Sequence, residues 1–282
     1  MNYRHAFHAG NFADVLKHAV LLGLIEALRA KPTPFCCLDT HAGSGRYLLG
    51  GEQARKTGEA AAGVLRLAAA RDLPPLLQRY LDHVRALNAD DALDVYPGSP
   101  LLAARALRAQ DRAVLCELHP EETAALRALF RDDKRVHVHQ RDGYAALKAL
   151  LPPAEKRGLV LIDPPFEAQE DEFRAIEAAL ADAWKRWPNG VYAVWYPIKL
   201  HRHVLPFHRW LAASGMKNVW VAELLVHADN TPLRLNGCGM AIVNTPWRFE
   251  RELAAILPVL ARLLGRDGPG RQRLTRLAGE RP

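Results

Sequence analysis

Cysteine is scarce in this chain: there are four in 282 residues. Cys36, Cys37, Cys116 and Cys238 have no metal-type spacing, and each sits in or beside an apolar, strand-like run. They read as reduced core residues of a cytoplasmic protein. Long hydrophobic runs are missing too. None approaches the ~20 residues of a membrane helix, and Met1-Asn2-Tyr3-Arg4-His5 lacks the apolar segment of a signal peptide. No serine stands in a nucleophile elbow and no histidine pair has metal-ligand spacing, which removes the common hydrolase designs. His5, His8 and His18 share no fixed ligand pattern, so no metal is expected. Internal repeats are absent. Acid is the minority charge: the net charge of +7 and pI near 9.4 favour a polyanionic partner. What is plentiful is apolar residue, 49% of the chain, enough for a sizeable ordered core in one large α/β domain or two small ones.

The chain is organised around Gly158-Leu159-Val160-Leu161-Ile162-Asp163-Pro164-Pro165-Phe166. The apolar run is short, partly β-branched and bounded by breakers, which predicts a buried strand. Prolines lack an N–H and fix φ, so the strand should stop at Asp163 and leave nearby carbonyls without ladder partners. Open α/β sheets bind ligands at such carboxyl ends. An acid, a free carbonyl and a flat ring suit an exocyclic amine on a planar base. Asp163 and the Pro164 carbonyl would accept the two amine hydrogens, and Phe166 would stack on the ring. The plainer reading is a strand closed by a Pro-Pro turn and a packed phenylalanine.

Upstream, Asn11 is placed to cap a helix in which Val15, Ala19, Leu22 and Ile25 repeat at helical spacing, with Asp14, Lys17 and His18 in its first turns. Pro34-Phe35-Cys36-Cys37-Leu38-Asp39 predicts the first strand, running into His41-Ala42-Gly43-Ser44-Gly45. A dinucleotide fingerprint would need glycine at position 48, where leucine stands, so a dinucleotide phosphate cradle is disfavoured. Tyr96-Pro97-Gly98-Ser99-Pro100 reads as a turn with Ser99 and Pro100 as cap and first residue of a helix. A second strand ends at Glu117, which either accepts from ribose hydroxyls or is an exposed strand-end acid. A third, Arg135 to His139, leads to Asp142-Gly143, where Asp142 either meets an adenine amine or caps the next helix.

Residues from about 50 to 94 break the strand–helix rhythm and read as a small helical insertion, with Arg55, Lys56, Arg66, Arg79 and Arg85 available to phosphates or to solvent. A further strand covers 190–197, followed by a basic cluster of Lys199, His201, Arg202, His203, His208 and Arg209. Residues 219–226 and 238–244 predict an antiparallel hairpin at the sheet edge, joined by a mobile-looking loop over 227–237. A closing helix over 253–264 and a loose arginine-rich tail over 265–282 complete the chain.

Together these blocks resemble the RlmJ-type methyltransferases, which methylate adenine N6 in bacterial 23S ribosomal RNA. The likeness is carried by Tyr3-Arg4-His5-Ala6-Phe7-His8-Ala9-Gly10-Asn11, Asp14-Val15-Leu16-Lys17-His18, Leu38-Asp39-Thr40-His41-Ala42-Gly43, Tyr96-Pro97-Gly98-Ser99-Pro100, Glu117-Leu118-His119-Pro120 and Asp163-Pro164-Pro165-Phe166. It implies a Rossmann-like class I methyltransferase: one domain, a mostly parallel seven-stranded sheet with an antiparallel last strand, and S-adenosylmethionine as cofactor. It also implies that His18, His41, Ser99, Glu117, Asp142, Gly143 and Asp163 contact the cofactor, that Asp163 is the catalytic acceptor, and that Tyr3 and Arg4 meet the RNA. Phe166 stands where the motif commonly has tyrosine. The expected partner is 23S ribosomal RNA, naked or in an early assembly intermediate, met by a monomer without membrane attachment. A DNA adenine methyltransferase and a non-catalytic RNA-binding protein on the same fold are the competing readings.

Overall fold

In a computed structural model, which describes residues 5–89, 92–167 and 169–279, Asn11 caps the first helix, α1 (Phe12–Arg29). Its side-chain oxygen accepts from Ala13 N and Asp14 N, both at 2.9 Å, satisfying donors that the helix cannot. α1 is apolar on nearly every side, so it lies inside the molecule rather than on it: Val15, Leu16, Ala19, Val20 and Leu22 have no exposed surface. Then come β1 (Cys36–Asp39), β2 (Arg46–Leu48), α2 (Glu52–Thr57), α3 (Val64–Ala68), α4 (Pro75–Arg85), β3 (Val95–Pro97) and α5 (Ser99–Ala106). The alternating heart of the chain is β4 (Arg112–Glu117), α6 (Pro120–Leu129), β5 (Val136–Gln140), α7 (Gly143–Leu150), β6 (Gly158–Ile162), α8 (Gln169–Arg186) and β7 (Val191–Ile198). It closes with α9 (Leu205–Ala213), β8 (Val219–Leu225), β9 (Gly237–Val243), α10 (Phe249–Leu264) and β10 (Arg271–Ala278).

The main sheet has the order β10-β8-β9-β7-β6-β1-β4-β5. From β5 to β7 every pairing is parallel, so Asp39, Glu117, Gln140 and the residue after Ile162 reach one rim, the ligand-binding edge of such sheets. Beyond β7 the pairings are antiparallel. Among the described residues the sheet therefore has eight strands rather than the expected seven. The β8–β9 hairpin is interior, because β9 inserts beside β7 and β10 covers the far side of β8.

Within the tail expected to be loose, Arg271–Ala278 forms the strand β10. Arginines dominate its composition, but Leu274 and Leu277 pack on the two faces of the sheet, and charged side chains on an outermost strand protect it from pairing further. The segment read as an insertion is helical, over α2, α3 and α4, and packs into the main core. Val64, Leu67, Leu76, Leu77, Tyr80 and Leu81 are buried in the same core as α1. Its basic residues are largely engaged within the chain: Arg79 with Glu26 and Glu252, Lys56 with Glu52, Arg66 and Arg85 with backbone carbonyls. The Tyr96-Pro97 turn is a short strand, β3, paired with β2.

Candidate active site

A cavity of about 460 Å³ opens at the carboxyl rim of the parallel strands, within the range that holds a cofactor-sized ligand. His18, His41, Ser99, Glu117, Asp142, Gly143, Asp163, Pro164 and Phe166 all line it. Residues 18 to 166 of the sequence reading are thus brought to one place; Tyr3 and Arg4 lie outside the described residues.

Its floor is an ionic network on α1. Lys17 Nζ donates to Asp163 Oδ2 at 2.5 Å and pairs with Asp14 Oδ1 at 3.0 Å. Asp14 Oδ2 receives His5 Nε2 at 2.9 Å and Gly10 N at 2.9 Å. Asp14 is 2% exposed and Lys17 5%, so this carboxylate and ammonium leave water only because they meet. Burial pushes the Asp14 carboxyl up, yet His5, Lys17 and His18 together hold it well below the usual range. In sequence Lys17 stands in the first turns of the helix with no partner in view. The available signal was its place, one turn after Asp14 in a helix otherwise apolar.

His18 is fully buried. Its Nδ1 meets the Tyr96 hydroxyl at 2.8 Å, and Tyr96 in turn meets Tyr80 at 2.8 Å. Its Nε2 has no hydrogen-bond partner among the described residues and lies 3.8 Å from Asp14 Oδ1. Burial drives its imidazole down to about 3 and that of His41 to about 4, so both are neutral near pH 7. The glycine turn puts Gly43 at φ 61°, where a Cβ would also strike the Tyr47 hydroxyl at 2.4 Å. Gly43 N donates to Glu117 Oε2 at 2.8 Å, and His119 N donates to Oε1 at 2.7 Å. The strand-end acid is therefore held by backbone rather than loose in solvent. Ser99 does not cap α5 as its position suggested: the cap is Gly98, and Ser99 Oγ donates to Asp39 Oδ2 at 2.6 Å. Burial raises the Asp39 carboxyl to about 6, partly offset by that hydroxyl. Asp142 caps α7, accepting from Ala145 N at 2.8 Å, while facing the cavity. Gly143 is required by closeness: a Cβ there would stand 2.2 Å from the Thr40 carbonyl oxygen.

On the other side of Asp163, Phe166 adopts φ 50°, a left-handed conformation that costs a non-glycine residue roughly 1–3 kcal/mol. The turn folds its ring inward to 8% exposure, edge-on to Phe173 and Trp195 at 5.2 and 5.8 Å between centroids. It is both a packed residue and a cavity wall. Trp195, Lys199 and Leu235 extend that wall. Of the basic cluster only Lys199 reaches the cavity, while Arg202, His203 and Arg209 are exposed. The 227–237 loop is anchored by buried Asn236, whose Nδ2 donates to the Thr231 carbonyl at 2.7 Å and also to that of Lys199.

An acid-tipped, mostly parallel sheet with a glycine turn over one cavity is a Rossmann-like methyltransferase fold. Residues 32–276 match the family model described as ribosomal RNA large subunit methyltransferase D, RlmJ, and the chain belongs to that family of methyltransferases. It is 43% identical over 270 residues to ribosomal RNA large subunit methyltransferase J of Escherichia coli K12, covering 96% of each chain. Identity to the Haemophilus influenzae protein of the same name is also 43%, over 271 residues and 96% of each. The crystal structure of protein LPL1258 from Legionella pneumophila is 36% identical, with a TM-score of 0.88 over 95% of this chain and 98% of that one.

Proposed function

We propose that this chain transfers a methyl group from S-adenosylmethionine to the exocyclic N6 of an adenine in 23S ribosomal RNA. One observation carries the reading: Asp163, at the end of β6 before two prolines, shares a single cavity with the residues assigned to the cofactor. S-adenosylmethionine, when bound, supplies an activated sulfonium methyl. His18, with an unsatisfied buried nitrogen, and His41, Ser99, Glu117, Asp142 and Gly143 would hold it as one methyltransferase domain. The relatives' names and the net charge of +7 support a ribosomal RNA substrate, which the monomer meets as naked RNA or in an early assembly intermediate.

The work left to the protein is orientation. Lys17 grips Oδ2 of Asp163 and fixes that carboxylate; Oδ1 and the Pro164 carbonyl accept from the amine. Accepting both hydrogens turns the nitrogen lone pair out of ring conjugation and stabilises positive charge growing on nitrogen. The target base leaves its stack to enter the cavity, where Phe166 and Trp195 offer ring faces or edges. The test is label transfer from S-adenosylmethionine to unmodified 23S ribosomal RNA, with duplex DNA alongside and nucleosides identified by mass. N6-methyladenosine from RNA alone, lost in Asp163→Ala while cofactor still binds, is expected. Label in DNA, or near-normal turnover by the variant, overturns it.

A further inference from the structure

On the sheet face away from the cavity, four residues stand abreast across neighbouring strands. Tyr196 of β7 pairs in register with Gly239 of β9, Gly239 with Glu223 of β8, and Glu223 with Arg273 of β10. Trp195 and Pro197 line the cavity, so Tyr196 between them projects the opposite way. Gly239 makes the row possible: a Cβ there would stand 2.2 Å from the Tyr196 ring. The tyrosine therefore lies across β9 and donates to Glu223 Oε1 at 3.1 Å. Two histidines cover this row, His201 from the turn after β7 and His208 from α9. His201 Nε2 is 3.1 Å from Glu223 Oε2, and His208 Nε2 is 3.6 Å from Oε1.

We propose that His201, His208 and Glu223 bind a divalent transition-metal ion, with zinc the best fit. The set is two imidazoles and one carboxylate, with all three donor atoms within 4.8 Å of one another. Zinc bonds of about 2.0–2.1 Å place adjacent tetrahedral ligands roughly 3.3 Å apart. The carboxylate meets His201 through Oε2 and His208 through Oε1. Holding an ion through one of its oxygens therefore requires the three donors, within 4.8 Å of one another, to draw together, which rotation of His201 on its short turn allows. Tyr196 serves as the outer donor that fixes the carboxylate, and its contact with His208 Nε2 at 2.9 Å has to give way when that nitrogen turns its lone pair to the ion. The competing cation is Arg273. Its Nη1 is 3.8 Å from Glu223 Oε2, too far to hydrogen-bond, and has no hydrogen-bond partner among the described residues. With its side chain 38% exposed, it can swing outward when the ion enters.

The expectation of no metal rested on spacing along the chain, and the sheet joins residue 223 to a pair more than a dozen positions away. His201 N also donates to Asp229 Oδ1 at 2.9 Å, and Lys199 of the cavity wall lies two residues before it. An ion here would brace the rim from behind. The experiment strips the purified full chain with a chelator, then titrates it with zinc alone and with cobalt(II). Retained metal after gel filtration, melting temperature and the visible cobalt spectrum are read. One ion per chain, a raised melting temperature and tetrahedral cobalt bands are expected. His201→Gln, on its short surface turn, and Glu223→Gln should lose them, with affinity down about 100-fold or more, since loss of outer-shell partners alone costs 10–100-fold. A His137→Gln/His139→Gln control should keep them. Circular dichroism checks that each variant is folded. Wild type retaining no more metal than His201→Gln, or the control losing as much as it does, overturns the site.

Discussion

Replacing Lys17 by methionine keeps the reach of the side chain and removes the charge. The ammonium lies 2.5 Å from Asp163 and 3.0 Å from Asp14, with side chains 6%, 14% and 2% exposed. Without it, two carboxylates face each other across the vacated position. Removing one partner of a buried pair costs about 3–5 kcal/mol, because the remaining charge is uncompensated. At an effective dielectric near 20, like charges about 4–5 Å apart repel by roughly 3–4 kcal/mol. His5 still pairs with Asp14 at 2.9 Å, which places the expected loss near the lower end, about 3 kcal/mol. That is a large part of the roughly 5–15 kcal/mol a domain has. Asp14 has a depressed folded pKa, so its contribution is present above the ordinary carboxylate range and is lost as pH falls through the folded value. The variant, with that depression weakened, should unfold in acid at higher pH than wild type. Urea unfolding near pH 7 gives the first number and an acid titration the second. Lys17→Met/Asp163→Asn should recover part of the stability, since the repulsion is gone, but no methyl transfer. A single-variant loss under about 1 kcal/mol, the scale of an exposed pair, or no recovery in the double variant would refute the reasoning.

Phe166→Ala removes a core ring and a cavity wall together. It should cost about 3–5 kcal/mol in unfolding and a further ~1–3 kcal/mol in base binding, read as a raised KM; intact stability would show that the ring is not packed. His18 and His41 should remain neutral at pH 5 in an imidazole NMR titration, given values of about 3 and 4; ordinary titration near 6.5 would contradict their burial. Their folded values are depressed, so the unfolded chain takes up protons first and stability falls as pH drops from about 6.5 toward 4. Asp39, raised to about 6, opposes that fall between its ordinary value and 6. Gly143→Ala should unfold the rim or abolish cofactor binding, because its Cβ would enter the Thr40 carbonyl. Gly58→Ala, with open space and φ 63°, should cost only about 1 kcal/mol; equal effects in a melting assay would remove the close-approach argument.

The parts of the site legible in sequence are those whose chemistry is local. A strand ending in an acid and a glycine turn, and a strand stopped by Asp163-Pro164-Pro165, state their conformation within a few residues, and both stand where they were expected. Illegible were contacts that only the folded chain creates. Lys17 and Asp163 are 146 residues apart, and Ser99 turned from its own helix to Asp39 across 60. The outer strand β10 was hidden because its arginines outweigh two leucines that matter only once β8 is beside them. One irregularity did point to the site before any contact was known. α1 is apolar on nearly every side and buried, yet its first turns carry Asp14, Lys17 and His18. Burying such groups is unfavourable unless each finds a partner. Asp14 and Lys17 satisfy each other, and Lys17 reaches on to Asp163, while His18, on the cavity wall, keeps one nitrogen without a hydrogen-bond partner among the described residues. A helix that departs from its own pattern at such cost marks where folding has been made to serve chemistry.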